Sequence, residues 1–443
     1  MGATGIAVKA ISRLCLFALT LLLAACSGGG GGGSTAYPVT MTLTASVISP
    51  SEVALSWTPH TSAVIGYDVN RNGGAAFPTH IQGTALTDHN LTAATQYCYV
   101  VYAVDFLLGI VGQSNSVCVT TQATAGWNTV TVGNGSFVSL ALDAGNAHHV
   151  SYRNANGVQI ATDAAGAWSV ENINTGAGAF GHTAIAISGT GAVHTSYFDA
   201  QAGLRYATNN TGVWVSATVD NMGGQGSALA LDGTGKAYIS YANNSLDTVK
   251  YATNASGSWV TTFILPGYSN VSVLQTSLAL DSNGATHIGY AVGSSQFCAI
   301  RYAENVSGSW TNNTLIDNDA QCGTALAIDA NKVAHIAYMK SSTLHYATNG
   351  SGSWVSTIVD TLSWIGGAEV SIAIDSSGRV HISYQDALNQ NLKYSTNASG
   401  TWQGKYIASN GGGYSQIRVD PTGKIHIAYT EETTGAVKLA TSP

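Results

Sequence analysis

The amino-acid sequence predicts an all-β protein in which a small β-sandwich precedes a ring of repeated four-stranded sheets. Three observations support this prediction. Tryptophans recur at nearly constant spacing after residue 126, a cassette of four short strands lies between them, and residues 38–122 alternate as strands separated by turn signals. The 51 glycines among 443 residues agree, because many tight turns require glycine. Charged residues make up only 9% of the chain, which argues against disorder and against a coiled coil.

Residues 1–25 are typical of an export signal. Lys9 and Arg13 precede an apolar run, Leu14–Leu23, that is too short for a permanent transmembrane helix. The run ends in Leu23-Ala24-Ala25-Cys26, which resembles the lipobox of bacterial lipoproteins. This resemblance implies cleavage before Cys26, diacylation of its sulfur and a lipid anchor in a membrane of the cell envelope. The alternative is an ordinary secretory signal in which the cysteine occurs by chance.

Residues 26–37 predict a flexible tether behind the lipidated cysteine. Gly28–Gly33 are six consecutive glycines, which cannot form part of a core. Ser27 resembles the residue that follows the cysteine in outer-membrane lipoproteins, so we expect the protein on the outer membrane or cell surface. Loss of Lys9 and Arg13 with the signal changes the net charge from −7 to −9. A chain this acidic, without clustered basic residues, is not expected to bind nucleic acid.

The cysteine count predicts two disulfides. Of six cysteines, Cys15 leaves with the signal and Cys26 is used for the lipid, so four remain in an oxidising compartment. We expect one bond across the last two strands of the sandwich and a second between the fourth repeat and the entry to the fifth. For the second pair, the alternative is two buried thiols. The predicted pairs are Cys98 with Cys118, and Cys298 with Cys322.

The region 38–122 predicts a β-sandwich. Val53–Trp57 and Ile65–Val69 alternate as strands, and turn signals follow each of them. The tryptophan, the tyrosine in the second strand and the run Leu91–Tyr97 resemble a fibronectin type III domain. That run matches the tyrosine corner of the family, with Ala93 in place of its proline. The resemblance implies a spacer or docking module.

Residues 127–443 predict a seven-bladed β-propeller. Four short strands recur in each period of about 45 residues, which is the signature of a propeller blade. The chain opens this region with an extra strand and stops one strand short. We therefore expect the first strand to complete the last blade, so that no sheet edge is left open. The tryptophans that mark the copies are Trp127, Trp168, Trp214, Trp259, Trp310, Trp354 and Trp402.

The cassette resembles the sialidase-like (BNR) and fucose-lectin-like groups of propellers over essentially all of residues 127–443. This resemblance implies a protein that binds glycans or processes glycosides. The turn at Thr253–Trp259 departs from the sialidase Asp box, because it lacks the Asp and its Trp follows Gly one residue too soon. No Glu recurs in the repeats, as an interblade fucose site of the lectin group would require.

Two positions that repeat through the blades carry His and Asp. A ring of histidines invites a metal interpretation, but ligands of one metal must lie within about 2.1 Å of a point. Equivalent side chains of different blades are held apart, so we assign them a structural role and expect no metal or cofactor. The aspartates precede glycine- or asparagine-containing turns and predict Asx-type turns. The histidines are His149, His194, His287, His335, His381 and His426, with Tyr238 in the third blade.

Departures from the repeat point to candidate ligand-binding residues. Arg418 stands where the other six blades have Ala, either as an adjustment of the closing blade, which we favour, or as a functional charge. The loops from the fourth strand to the next first strand, and from the second to the third, form one rim, called the variable rim. Its aromatic residues suit sugar stacking or protein contact, or they cover the blade ends. The candidates are Phe180, Tyr268, Trp364, Tyr414 and Arg418.

Three function classes remain. The leading hypothesis is a surface-anchored binding or scaffold protein whose variable rim contacts a glycan or a protein. The competing hypothesis is a sialidase-like or other glycoside-processing enzyme. Retaining glycosidases need two carboxyl groups about 5 Å apart, and neither such a pair nor an arginine triad can be assembled from the sequence, so we assign no catalytic residue. The third possibility is a purely structural envelope protein.

Overall fold

The computed structural model describes most of the chain, and all its regular structure is β. No helix in the described part is long and apolar enough to cross a membrane. Residues 1–36, including the predicted signal, Cys26 and nearly all of the tether, lie outside it, as do the side chains of 179–180, 272–274 and 312–313. The described residues are 37–62, 64–77, 80–89, 91–123, 126–173, 179–243, 248–265, 272–293, 297–362, 369–386 and 390–443.

The first nine strands form two sheets. One sheet has the order β1-β8-β7-β4-β5, with β9 also pairing with β7, and the other has the order β2-β3-β6. The strands are β1 (Val39–Met41), β2 (Leu43–Ser49), β3 (Glu52–Trp57), β4 (Gly66–Arg71), β5 (Gly74–Ala75), β6 (Ala85–Asp88), β7 (Gln96–Val104), β8 (Ile110–Ser114) and β9 (Val117–Thr120).

The two sheets share one hydrophobic core, as a sandwich requires. Trp57 from one sheet packs edge-on against Tyr67 from the other, with ring centroids 5.6 Å apart. The Thr92 amide donates to the Tyr97 hydroxyl at 2.9 Å, which is the contact that the tyrosine-corner pattern predicts. The predicted disulfide Cys98–Cys118 is present and joins directly paired residues of β7 and β9.

The other strands form four-stranded antiparallel sheets. Sheet 1 contains β11 (Ser136–Leu142), β12 (His148–Asn154), β13 (Gly157–Thr162) and β14 (Ser169–Asn172). Sheet 2 contains β15 (Ala179–Ile187), β16 (Val193–Asp199), β17 (Gly203–Thr208) and β18 (Val215–Asp220). Sheet 3 contains β19 (Gln225–Leu231), β20 (Ala237–Asn243), β21 (Thr248–Thr253) and β22 (Val260–Leu265). Sheet 4 contains β23 (Ser272–Leu280), β24 (Thr286–Gly293), β25 (Cys298–Glu304) and β26 (Thr311–Ala320).

Three more sheets follow in chain order. Sheet 5 contains β27 (Thr324–Ile328), β28 (Ala334–Lys340), β29 (Thr343–Thr348) and β30 (Val355–Thr361). Sheet 6 contains β31 (Val370–Ile374), β32 (Val380–Asp386), β33 (Asn391–Thr396) and β34 (Gln403–Ala408). Sheet 7 contains β35 (Gly413–Val419), β36 (Ile425–Glu431), β37 (Ala436–Thr441) and β10 (Asn128–Asn134).

The sheets form a closed β-propeller. The first strand of each sheet contacts the first strand of the next, and β35 of sheet 7 contacts β11 of sheet 1. The outer strand of sheet 7 is β10, which precedes sheet 1 in the chain and pairs antiparallel with β37. The predicted closure is therefore present in the structure. Trp127, just before β10, packs on Tyr394 of sheet 6 at 5.5 Å, as Trp402 packs on Tyr346 of sheet 5 at 5.3 Å.

Hydroxyl pairs join neighbouring sheets near the channel. In four interfaces a serine of the second strand bonds to a serine or threonine in the first strand of the next sheet, at 2.8–3.1 Å. Two other interfaces replace both partners with apolar residues, Ala337 with Val370 and Ala428 with Val138. Either choice avoids an unpaired buried hydroxyl, which would lower stability. The hydroxyl pairs are Ser151–Thr183, Ser196–Ser227, Ser240–Thr276 and Ser383–Ser415.

The repeated histidines are buried, and each has its principal contacts within its own sheet. In four of them, Nδ1 lies 2.5–2.7 Å from a tyrosine hydroxyl of the third strand. In five, Nε2 faces the turn aspartate of the same sheet at 3.3–3.8 Å. The turn aspartates in turn accept backbone amides, as Asp143 does from Gly145 at 2.8 Å. These contacts agree with the structural role inferred from the repeat.

The second predicted disulfide is also present. Cys298 in β25 bonds to Cys322, which lies between β26 of sheet 4 and β27 of sheet 5. Both cysteines are buried in a cluster with side chains of these two sheets. The bond therefore links the third strand of one sheet to the entry of the next.

The interface between sheets 4 and 5 predicts a stabilising substitution. Here Gly289 faces Thr324, whose buried hydroxyl has no hydrogen-bond partner in the described part of the chain. A Cβ at Gly289 would lie 3.6 Å from that hydroxyl and 3.4 Å from its nearest neighbour, so a side chain fits. Gly289→Ser should raise the free energy of unfolding by about 1 kcal/mol, through a new hydrogen bond and a less flexible unfolded chain. Urea denaturation measures this.

The matched control is Ala337→Ser, which places the same hydroxyl opposite Val370 at the next interface. It should lower stability, because the apolar Val370 side chain opposite cannot accept the hydrogen bond. Equal effects of the two substitutions would contradict the pairing argument.

The buried histidines predict acid sensitivity. Burial lowers the pKa of His194, His287, His335, His381 and His426. In the unfolded chain their pKa is about 6.5, so that state binds protons first as the pH falls. Stability should therefore be complete above about pH 7.5 and fall as the pH drops through 6.5, by up to about 1.4 kcal/mol per pH unit for each proton. Thermal unfolding at pH 5.5, 6.5 and 7.5 measures the slope.

A suitable variant is His381→Tyr. It reproduces the arrangement in sheet 3, where the equivalent residue Tyr238 donates a hydrogen bond to Asp232 at 3.0 Å. The variant should show a shallower pH slope than the parent. An unchanged slope would show that His381 does not contribute.

Candidate functional site

The first strands begin at the variable rim, and their starts surround one end of the channel. Five of the seven first strands have a register shift there, which marks a β-bulge. A bulge redirects the side chains that it carries, and bulges are common beside functional sites. We call the four residues that this geometry brings together the channel mouth: Phe137 of sheet 1, His182 of sheet 2, Glu369 before sheet 6 and Tyr414 of sheet 7.

The channel mouth carries two aromatic residues in a strained backbone conformation. Phe137 has φ +58° and Tyr414 has φ +55°, a region unusual for bulky side chains. The equivalent position of sheet 3 has the same conformation, φ +57°, but there it is occupied by Gly226. Glycine adopts this conformation without strain. Retention of two aromatic side chains where glycine is easier points to a functional use of their rings.

The four residues contact one another across the mouth. The Phe137 ring lies 4.2 Å from the Tyr414 ring and 5.1 Å from the His182 ring, measured between centroids. His182 Nε2 lies 3.8 Å from a carboxylate oxygen of Glu369, and the Tyr414 amide donates to the other oxygen. All four side chains are partly buried, so each keeps a surface open to solvent.

The electrostatics keep the Tyr414 phenol neutral. Burial raises its pKa, and the carboxylates of Glu369 and Glu432 raise it further. Glu432 follows β36 and accepts a hydrogen bond from the Gln385 amide at 2.6 Å. The four mouth residues and the adjoining Glu432 therefore combine two ring faces, two carboxylates, an imidazole and a phenol that can donate a hydrogen bond.

Below the mouth, the channel contains a cavity of about 130 Å³. His182 lines this cavity as well as the mouth, so the two spaces are continuous. The other polar lining residues are mostly serines, threonines and glutamines, and the lining includes one basic residue, Arg418. The polar lining consists of Ser139, His182, Thr183, Ser227, Gln275, Thr276, Ser277, Thr324, Ser371, Gln416 and Arg418.

Arg418 extends into the channel from β35, where the other first strands have alanine. Its Nη1 donates to the Ile417 carbonyl at 2.8 Å. Within the described ranges, no carboxylate lies within ion-pair distance of its guanidinium. Burial lowers the pKa of Arg418 to about 10, so the group stays charged at neutral pH.

The structure places two of the five predicted ligand-binding residues at the site and leaves the other three untested. Tyr414 belongs to the mouth and Arg418 to the cavity beneath it, so these two candidates come together. Phe180 has its backbone in β15, but its side chain lies outside the described residues. Tyr268 and Trp364 also lie outside them, and their role stays a prediction.

The candidate list from the sequence omits Phe137, His182, Glu369 and Glu432. A signal for three of these four residues was available. Six positions before the turn aspartate, or its Ser188 equivalent, the residues at or just before the start of the first strands are Phe137, His182, Gly226, Gln275, Gly323, Glu369 and Tyr414. This column is far more variable than the alanine column that contains Arg418. Within the described residues, no group of three or more His, Cys, Asp or Glu side chains could hold a metal ion.

Comparisons with known proteins identify similar chains. No family model matches. Exoglucanase B from Cellulomonas fimi is 28% identical over 360 residues, which is 79% of this chain but only 29% of that protein. Among solved structures, AofleA from Arthrobotrys oligospora has 14% identity and a TM-score of 0.44, covering 65% of this chain and 90% of that one.

Two further solved structures are similar. The Aleuria aurantia lectin, as a mutant in complex with Fucalpha1-6GlcNAc, has 14% identity and a TM-score of 0.44, covering 63% of this chain and 98% of that one. The alpha-L-arabinanase of Penicillium chrysogenum, complexed with arabinobiose, has 9% identity and a TM-score of 0.44, covering 71% of this chain and 98% of that one.

Proposed function

We propose that this protein is a lipid-anchored envelope protein that binds carbohydrate at the channel mouth of a seven-bladed propeller. The observation that carries this proposal is the mouth itself, where Phe137 and Tyr414 face each other beside Glu369 and His182. In a broader version of this proposal, the protein is a scaffold that binds another protein through the same rim.

The chemistry of the mouth suits a sugar. Aromatic faces provide contact area for the C–H surface of a sugar ring at a low cost in conformational entropy. Carboxylate oxygens accept hydrogen bonds from sugar hydroxyls, and the neutral Tyr414 phenol can donate one. A few polar groups placed around an apolar surface are typical of small-molecule sites. The partial similarity to a protein named an exoglucanase supports a carbohydrate as the ligand.

We infer that the sandwich is a fibronectin type III-like module that holds the propeller away from the membrane. The tyrosine corner and the two-sheet topology support this. The turn between β2 and β3 also contacts sheet 6, where the Asn391 amide donates to the Ser51 hydroxyl and both residues are buried. Because Asn391 begins a third strand, this contact lies at the variable rim, on the same side as the mouth.

An alternative function is glycoside processing. It is favoured by Glu369 and Glu432, two carboxylates that both act on Tyr414, and by the enzyme name of the partial relative. A glycosidase requires its carboxyl groups about 5–5.5 Å or about 6.5–9.5 Å apart, with one of them protonated. The binding proposal needs no such pair of carboxyl groups. Cleavage of the bound glycan therefore distinguishes the two functions.

The binding proposal predicts that the aromatic rings of the mouth are needed for affinity. Phe137→Gly and Tyr414→Gly should each weaken glycan binding about three- to tenfold, because each removes one stacked ring while glycine accepts the positive φ. A glycan array with the whole chain, carrying Cys26→Ala to keep it soluble, identifies the glycan. Titration calorimetry then measures the affinity of each variant.

The control is Lys332→Gly, which changes another residue of positive φ, +65°, in a turn of the opposite rim. It should leave affinity unchanged. Unchanged affinity in both mouth variants, or an array without a bound glycan, would contradict the proposal. Cleavage of the bound glycan that is lost in Glu369→Gln and Glu432→Gln would establish the alternative.

The anchor predicts a specific loss on substitution of one cysteine. Cys26→Ala should abolish labelling by radioactive palmitate and move the protein from the detergent phase to the aqueous phase, because the thiol is the acyl acceptor. Cys15→Ala should change neither result, since that residue leaves with the signal. Equal labelling of the parent and Cys26→Ala would contradict lipidation at this site.

A further inference from the structure

The polar side chains along the channel cavity can donate hydrogen bonds, and none of the described ones carries a negative charge. Among the described residues that line the cavity there is no Asp or Glu, although the chain as a whole is acidic. It contains one fixed positive charge, the Arg418 guanidinium, and the amide groups of Gln275 and Gln416. A site whose donors and charge point at one space favours an anion.

Three serines of the first strands add directed donors. Ser139, Ser277 and Ser371 occupy the same position in sheets 1, 4 and 6. Each hydroxyl oxygen accepts the amide of the next sheet, from Ile185 at 3.3 Å, Leu326 at 2.9 Å and Ile417 at 3.2 Å. Acceptance of these amides leaves each O–H to donate elsewhere. No protein acceptor for these three hydrogens lies among the described residues, so they are available to a ligand in the channel.

Arg418 is the residue that makes this space selective. The other six sheets carry alanine at its position, so the repeat does not require a charge there. Among the described residues its guanidinium meets one backbone carbonyl and no carboxylate. A charged group that is largely buried without a counter-ion is unfavourable. A bound anion removes that cost, and the planar fork of arginine matches the two oxygens of a carboxylate.

The size of the cavity limits the ligand. Its volume, about 130 Å³, is close to that of an engineered protein cavity of about 150 Å³ that binds benzene. It therefore accepts a carboxylate group with part of one ring, and the rest of a larger ligand must lie in the mouth. His182 borders both spaces, so one ligand can occupy them together.

We propose that the channel cavity binds the carboxylate of an acidic sugar, such as a uronic acid, against Arg418, while the sugar ring lies at the channel mouth. This inference rests on the proposed carbohydrate binding and specifies its ligand class. The three serine hydroxyls and the two glutamine amides complete the contacts with the carboxylate oxygens.

The experiment compares acids with their neutral counterparts. Titration calorimetry of the whole chain carrying Cys26→Ala uses glucuronate with glucose, and galacturonate with galactose, together with oligosaccharides of each kind. Acetate and sulfate form a third arm that tests free anions. The variants are Arg418→Ala, which restores the residue of the other sheets and should fold, and Arg418→Lys, which keeps the charge without the fork. Thermal unfolding verifies that both are folded.

The expected result is at least tenfold tighter binding of the acid than of its neutral partner in the parent. Arg418→Ala should abolish this preference, and Arg418→Lys should retain part of it. Neutral sugars that bind as tightly as acids, with no effect of Arg418→Ala, would overturn the inference and leave carbohydrate binding standing. Arg418-dependent binding of acetate and sulfate alone would assign the cavity to a free anion and overturn the acidic sugar. No binding of any sugar would overturn both.

Discussion

Closure of the ring is the constraint on which the rest of this structure depends. A four-stranded sheet of this kind cannot bury its faces alone, and each sheet here packs between two neighbouring sheets. The antiparallel pairing of β10 with β37 covers the outer edge of β37 and ties the segment that enters sheet 1 to the last sheet. Hydroxyl pairs and tryptophan–tyrosine contacts then repeat the same interface around the ring.

The seam of the ring is also where the repeat is broken, and the candidate site lies there. Phe137, His182, Glu369 and Tyr414 come from sheets 1, 2, 6 and 7, which flank the closure, and Arg418 enters the channel from sheet 7. At the same seam His148 of sheet 1 bonds to His426 of sheet 7, at 2.8 Å. Equivalent positions in sheets 3 and 5 are glycine. The residues that hold the ring together recur in most sheets. The residues that form the candidate site each occur in a single sheet.

Much of the fold followed from local patterns. The strand cassette, the turn aspartates, both disulfides and the closing strand were predictable, because each depends on strand periodicity, turn chemistry or cysteine arithmetic along the chain. The histidines were also predictable as structural, since symmetry holds equivalent side chains apart. The mouth was not, because Glu369 and His182 are 187 positions apart in the sequence and meet only when the ring closes.

The sequence by itself determined the class of fold and the positions at which the repeat changes. Only the tertiary structure decided which of these changes act together. Arg418 was an isolated exception in the sequence, and its meaning changed once the channel surrounded it with serine and glutamine donors and no carboxylate. The physical reason is that a propeller gathers one strand from every repeat around a single axis, so a ligand site is assembled across the repeats rather than within any of them.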